Sequence, residues 1–148
     1  HPRLVPVNPK PLIWSSHLLT LGLNQQTMQR ILMQIFSRSD LINQTTIESY
    51  LEPYQKNPEA VKTFIKATEA LRDKRLPDLF QSLHSQVLVI YGEQDRLVPR
   101  AYVEQLASLL QSSVFLCHQE AGHHIQEDAP LWLSQQIHAF LKAPPKRS

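Results

Sequence analysis

At 148 residues, 42% of them apolar and 19% charged, the chain is long enough to bury one core and has the balance of an ordered globular protein. Its net charge of +2 comes partly from the Lys142 to Arg147 tail, and no Lys/Arg stripe interleaved with aromatics runs along it, which argues against nucleic acid as a partner. The longest apolar-looking run, Leu12 to Leu23, is broken by Ser15, Ser16, His17 and Thr20 and falls short of the roughly 20 residues that cross a bilayer, so no membrane span is expected. The single Cys117 excludes an internal disulfide and a Cys-x-x-Cys metal pair. That fits a reducing compartment, and a cytoplasmic location is the expectation. The chain opens on His1, with no apolar stretch and cleavage site behind it, and reads as cut from a longer protein.

In chain order, Pro2, Pro6, Pro9 and Pro11 remove backbone donors and break helices, so residues 1–23 are expected as an extended arm. From Gln25 the apolar positions Met28, Ile31, Leu32, Ile35 and Phe36 recur at helical spacing, with Asn24 as the N-cap. Thr45-x-x-Glu48 has capping-box spacing and opens a second, short helix that Pro53 closes. Asn57 followed by Pro58 starts a third, with Val61, Phe64, Ile65, Thr68 and Leu71 on its apolar face. Residues 24–84 therefore read as a helical region.

The pattern then switches. Gln86-Val-Leu-Val-Ile-Tyr91 is a continuous apolar, β-branched run ending at Gly92, as expected of a parallel strand buried on both faces. Val103, Leu106, Ala107 and Leu110 mark a helix, and Ser113 to Cys117 a second strand. Strand, helix and strand in about 30 residues predict a parallel βαβ unit. A last helix begins near Asp128-Ala-Pro130 and is expected to bury Leu133, Ile137, Phe140 and Leu141, ahead of a disordered tail over residues 144–148. Two strands leave a ladder edge unpaired, so further strands are expected elsewhere.

In open parallel α/β sheets the chemistry sits in loops beyond the carboxyl ends of the strands. Asp95 follows the first strand, within Gly92-Glu-Gln-Asp95-Arg-Leu-Val-Pro99. His123 follows the second, within Ala121-Gly-His123-His-Ile-Gln-Glu-Asp-Ala-Pro130. A carboxylate that accepts the Nδ1 proton of an imidazole fixes its tautomer and stabilises the imidazolium formed when the ring takes a proton.

These two segments, in this order and 28 positions apart, resemble the last two catalytic segments of the α/β-hydrolase superfamily over about 60 residues. The resemblance implies the C-terminal part of an α/β-hydrolase fold over residues 85–143, a helical cap over 24–84, and a catalytic acid and base at Asp95 and His123. It also implies a small apolar or acyl substrate and no cofactor. The chain departs from the family pattern in one respect. The nucleophile elbow Gly-x-Ser-x-Gly needs two glycines, and the only glycines are Gly22, Gly92 and Gly122. The expectation is thus a piece of a serine-type hydrolase that needs the N-terminal half of the fold. Two alternatives stand beside it: a non-catalytic binding module, and an Asp-nucleophile dehalogenase or epoxide hydrolase.

Other residues invite sharper readings. Tyr50 and Tyr54 resemble the cap tyrosines of epoxide hydrolases, but Ile65-Lys-Ala-Thr-Glu-Ala-Leu71 replaces the later Tyr-containing segment of that subfamily. Trp14, Phe36, Tyr50, Tyr54 and Phe64 are read chiefly as core, with some of them available to line a substrate pocket. Cys117 is read as a small buried hydrophobe rather than a thiolate nucleophile. His118, His123, His124, Glu127 and Asp128 match no metal-ligand spacing, and no metal is expected.

Overall fold

The computed structural model describes residues 22–70 and 75–143. The expected arm, apart from its last two residues, and the expected tail lie outside them, as do Trp14 and Leu71.

Helix α1, Gln25–Ile35, begins where Asn24 turns its Oδ1 to accept the Thr27 amide at 2.9 Å, relieving one of the donors that a helix start leaves orphaned. Its apolar face buries Met28, Ile31, Leu32 and Ile35, and Phe36 follows them into the core. After a 3-10 turn at Ser39–Leu41 comes α2, Gln44–Lys56. Its cap is Asn43, whose Oδ1 accepts the Thr46 amide at 3.1 Å, so the capping box expected at Thr45 is displaced by two residues. Asn43 outcompetes Thr45 because it stands one residue before the first helical position, where its short amide reaches the third amide. Glu48 instead pairs with Gln44 along the helix.

Pro53 does not close α2 as expected. It lies inside the helix, which runs one further turn before the Asn57 amide bonds the Pro53 carbonyl at 3.2 Å. A proline removes one amide donor, and packing of Ile47 and Leu51 against α1 offsets that loss. Asn57 then accepts the Glu59 amide and opens α3, Pro58–Ala70, as expected. On its apolar face Val61 and Phe64 are half-buried. A short helix that the sequence pattern had not separated, α4, Leu76–Gln81, leads to the strands.

Strand β1, Val87–Gly92, helix α5, Arg100–Leu109, and strand β2, Ser113–His118, form the expected parallel βαβ unit, with Val87 opposite Ser113 and Gly92 opposite His118. Burial on both faces is corrected: Val87 to Ile90 are only half-buried, because the described sheet has two strands and only α5 makes extensive contact with them. The last helix is also divided, into a single turn α6, Ile125–Asp128, and α7, Pro130–Lys142, since Pro130 cannot continue the ladder of the turn before it. On α7, Leu133 and Phe140 are half-buried, but Ile137 is 41% and Leu141 74% exposed, contrary to expectation. No described element packs over that side of the helix.

The main core is helical: Met28, Ile31, Leu32, Ile35, Phe36, Ile47 and Leu51. Leu97, from the loop after β1, packs against it and ties the βαβ unit to the helices.

Candidate active site

Parallel pairing brings the loops that follow β1 and β2 out at one end of the sheet, and hydrogen bonds lace them together. The Glu93 amide donates to the His118 carbonyl and the Gln94 amide to the Ala121 carbonyl, both at 2.9 Å. The approach is so close that a Cβ on Gly92 would stand 2.2 Å from the Gly122 oxygen and 2.4 Å from that of Ala121. Only glycine fits at this crossing.

Asp95 and His123 meet where expected. Oδ1 of Asp95 accepts the amides of Leu97 at 2.7 Å and Val98 at 3.0 Å, folding the loop into an Asx-type turn. Oδ2 faces Nδ1 of His123 at 2.9 Å. The Asp95 side chain is 5% exposed and that of His123 is 35% exposed, so the acid is shielded and the ring reaches the surface. Burial pushes the Asp95 carboxyl up, but the hydrogen bonds from His123 and the Val98 and Leu97 amides outweigh it and hold the group below the usual carboxylate range. An ionised Asp95 keeps the shared proton on Nδ1, which leaves Nε2 as the basic nitrogen.

The support for His123 escaped the sequence reading, which placed Asp128 at a helix start and weighed it otherwise only as a metal ligand. Asp128 is 7% exposed, and its oxygens accept four hydrogen bonds from three amides: Gly122 at 2.8 Å, Ser37 at 3.1 and 3.0 Å, and Arg38 at 3.1 Å. The His124 amide donates to the Ile35 carbonyl at 3.1 Å, and a Cβ on Gly122 would stand 2.9 Å from both that oxygen and the Ser37 nitrogen. Arg96 completes the junction by donating to the Met33 carbonyl at 2.7 Å. Partners 90 residues apart leave no local signal to read.

A second cluster flanks the first. Tyr50, on α2, donates its hydroxyl to Glu127 at 2.8 Å and lies 3.3 Å from Nδ1 of His124, whose ring stacks on that of His123 with centroids 5.6 Å apart. Burial, helped by the neighbouring His123, pushes the His124 imidazole down. Burial and the Glu127 carboxylate push the Tyr50 hydroxyl above its ordinary range. Beside this cluster Ser49, Tyr50, Pro53, Tyr54, Ala60 and Glu127 line an open groove of about 420 Å³. Tyr50 and Tyr54 thus border a cavity, whereas Phe36 is core.

His118 turns its ring edge-on to Trp132 and accepts the Glu120 and Ala121 amides on Nδ1. Cys117, half-buried, donates its thiol to Glu93 at 3.1 Å and is pushed up by burial and that carboxylate, the reverse of what a thiolate nucleophile needs. Among the described residues no three His, Cys, Asp or Glu side chains are grouped to hold a metal, and no helix is long and apolar enough to cross a membrane.

No protein-family model matches the chain. It is 27% identical over 122 residues to the uncharacterized hydrolase YugF of Bacillus subtilis (strain 168), a match covering 81% of this chain and 44% of that protein. It superposes on an esterase from Exiguobacterium antarcticum with a TM-score of 0.68 at 17% identity, over 89% of this chain and 46% of that one. A serine hydrolase from the polyaromatic-hydrocarbon-degrading bacterium Cycloclasticus zankles also gives 0.68, at 12% identity, over 90% and 50% of the two chains. The chain spans about half the length of these relatives. It has the fold of the α/β-hydrolase superfamily, of which it carries a part.

Proposed function

We propose that the chain supplies the acid and base of a serine-type hydrolase acting on an ester or related acyl substrate, with Asp95 as the orienting acid and His123 as the general base. The observation that carries this reading is the 2.9 Å contact between a shielded, ionised Asp95 and the half-exposed ring of His123. Asp95 holds the proton on Nδ1, so Nε2 is free to take the nucleophile's proton. The same carboxylate then stabilises the imidazolium, which returns its proton to the leaving group; the neutral ring that results takes a proton from water for deacylation. The sequence contains no Gly-x-Ser-x-Gly, and the nucleophile and oxyanion donors are assigned to residues outside it. Residues 85–143 act in this reading as part of the catalytic core and 24–84 as its cap.

One observation weighs against epoxide chemistry and one supports a catalytic role. The hydroxyl of Tyr50 is committed to Glu127 and held above its ordinary range, which suits it poorly to protonate an opening epoxide. A shielded Asp95 carboxylate faces Nδ1 of His123, the pairing that proton transfer uses.

The test is ester hydrolysis by the complete gene product, with p-nitrophenyl esters as substrates and a fluorophosphonate as covalent probe. The expected outcome is a phosphonylated serine and a drop in kcat on the order of 10⁴-fold in His123→Ala with cooperative unfolding retained. Wild-type turnover in His123→Ala overturns the assignment, and labelling of an aspartate by ¹⁸O from water redirects it to dehalogenase or epoxide chemistry.

A further inference from the structure

We propose that Asp128 is a positioning residue for His123, an inference that rests on the function proposed above. The loop carrying His123 is only six residues long between β2 and α6, and three of them, Gln119, Glu120 and His123, are exposed, while Ala121 and Gly122 are buried. Such a short loop is held by its bonds to neighbouring segments. Asp128 provides an anchor: one carboxylate takes the amide of Gly122, immediately before His123, and the amides of Ser37 and Arg38, at the end of α1. Charge-assisted bonds of this kind are about twice as strong as neutral ones, and this carboxylate is shielded from water. The anchored backbone is the one from which His123 reaches Asp95, so the position of Nδ1 depends on it.

The geometry also shows why the anchored residue is a glycine and the anchor a carboxylate. A Cβ on Gly122 would stand 2.9 Å from the Ile35 oxygen and the Ser37 nitrogen and 3.2 Å from Oδ2 of Asp128, so the anchored position has no room for a side chain of its own. An amide in place of that carboxylate retains one acceptor oxygen and turns an NH₂ toward backbone donors that it cannot satisfy.

The experiment compares wild type, Asp128→Asn, Arg38→Pro and His123→Ala in the complete gene product, reading kcat, KM and the low-field proton resonance of the His123 Nδ1–H. Arg38→Pro is the milder variant, removing one amide donor to Asp128 and an exposed ion pair with Asp40, at a residue whose φ of −89° lies near the range of proline. In Asp128→Asn, kcat is expected to fall by about tenfold to a hundredfold with KM changed less than about twofold, and the resonance to broaden and move upfield. Arg38→Pro should shift both in the same direction by less. If Asp128→Asn fails to fold, Arg38→Pro decides alone. A wild-type kcat and an unmoved resonance in the folded variants overturn the positioning role, provided His123→Ala is inactive. If His123→Ala is active, it is the functional reading that falls.

Discussion

Gly92 illustrates how much of the site depends on backbone crossing at van der Waals distance. It ends β1 at the level where the His123 loop passes over it, and a methyl group there would overlap two carbonyl groups, of Gly122 and Ala121, rather than the end of a flexible side chain. Backbone cannot move aside without breaking the Glu93 and Gln94 amide bonds that hold the two loops together. Gly92→Ala is therefore expected to destabilise the chain by about 2–4 kcal/mol, toward the upper end of single-residue effects. It should also separate Asp95 from His123. Chemical denaturation gives the first quantity and the His123 Nδ1–H resonance reports the second; a variant with unchanged midpoint and resonance would show that the loops can part without cost. The pairing of Asp95 with His123 was legible from the sequence because each stands just past a strand, and strand ends are legible from β-branched runs. The role of Asp128 was not, since its amide partners at Ser37 and Arg38 belong to a turn that only the packing of α1 brings near.

At the scale of elements, the helices with a strong apolar period appeared where the pattern put them, with α1 correct to its N-cap. The misreading at Pro53 fell where a local rule met a tertiary contact. Pro53 ought to stop α2, but burial of Ile47 and Leu51 carries the helix past it, and the extra turn adds Tyr54 to the groove wall beside Tyr50. The α2 helix then contacts the His loop through Tyr50, by its hydroxyl and by its ring, whose centroid lies 5.9 Å from that of His124. With the Tyr50 proton on Glu127, Nδ1 of His124 is the donor and the Tyr50 oxygen accepts. Tyr50→Phe leaves a half-buried carboxylate and an imidazole short of a partner, at an expected cost of about 1–2 kcal/mol. The pH signature of His124 has a definite sign. Its folded value lies below the ordinary 6.5, so the unfolded chain takes up a proton that the native state refuses. The stability it contributes is complete above pH 6.5 and is lost as pH falls through the folded value. Denaturation of wild type and His124→Phe across pH 5 to 8 should show a slope in that window that the variant loses; parallel curves would remove His124 as its source.

Over the whole molecule, apolar surface is distributed unevenly. The helical core around Leu32 and Leu51 is closed, with both side chains at 2% exposure or less. The βαβ unit is open: Val87 to Ile90 are half-exposed, and Pro130, Leu133, Ile137 and Leu141 line a shallow groove of about 380 Å³ on α7. Leu131 adds a side chain 79% exposed. Monomeric proteins rarely leave strands and a helix face of this character uncovered. Since the relatives are about twice as long, the fold they share offers further elements that could cover both surfaces. For the 148 residues in isolation, the exposed surfaces should bind a naphthalene-sulfonate dye at neutral pH and drive self-association, seen as a mass above the monomer in light scattering. Replacing Leu131 and Leu141 together by Glu should reduce dye binding and shift the mass toward the monomer, because it places charge on the two most exposed leucines among the described residues while touching neither β1 nor the His123 loop. If dye binding persists at full strength, the half-exposed strands rather than α7 are the source. If the unmodified chain is a dye-silent monomer, the open sheet is tolerated and the need for covering elements disappears.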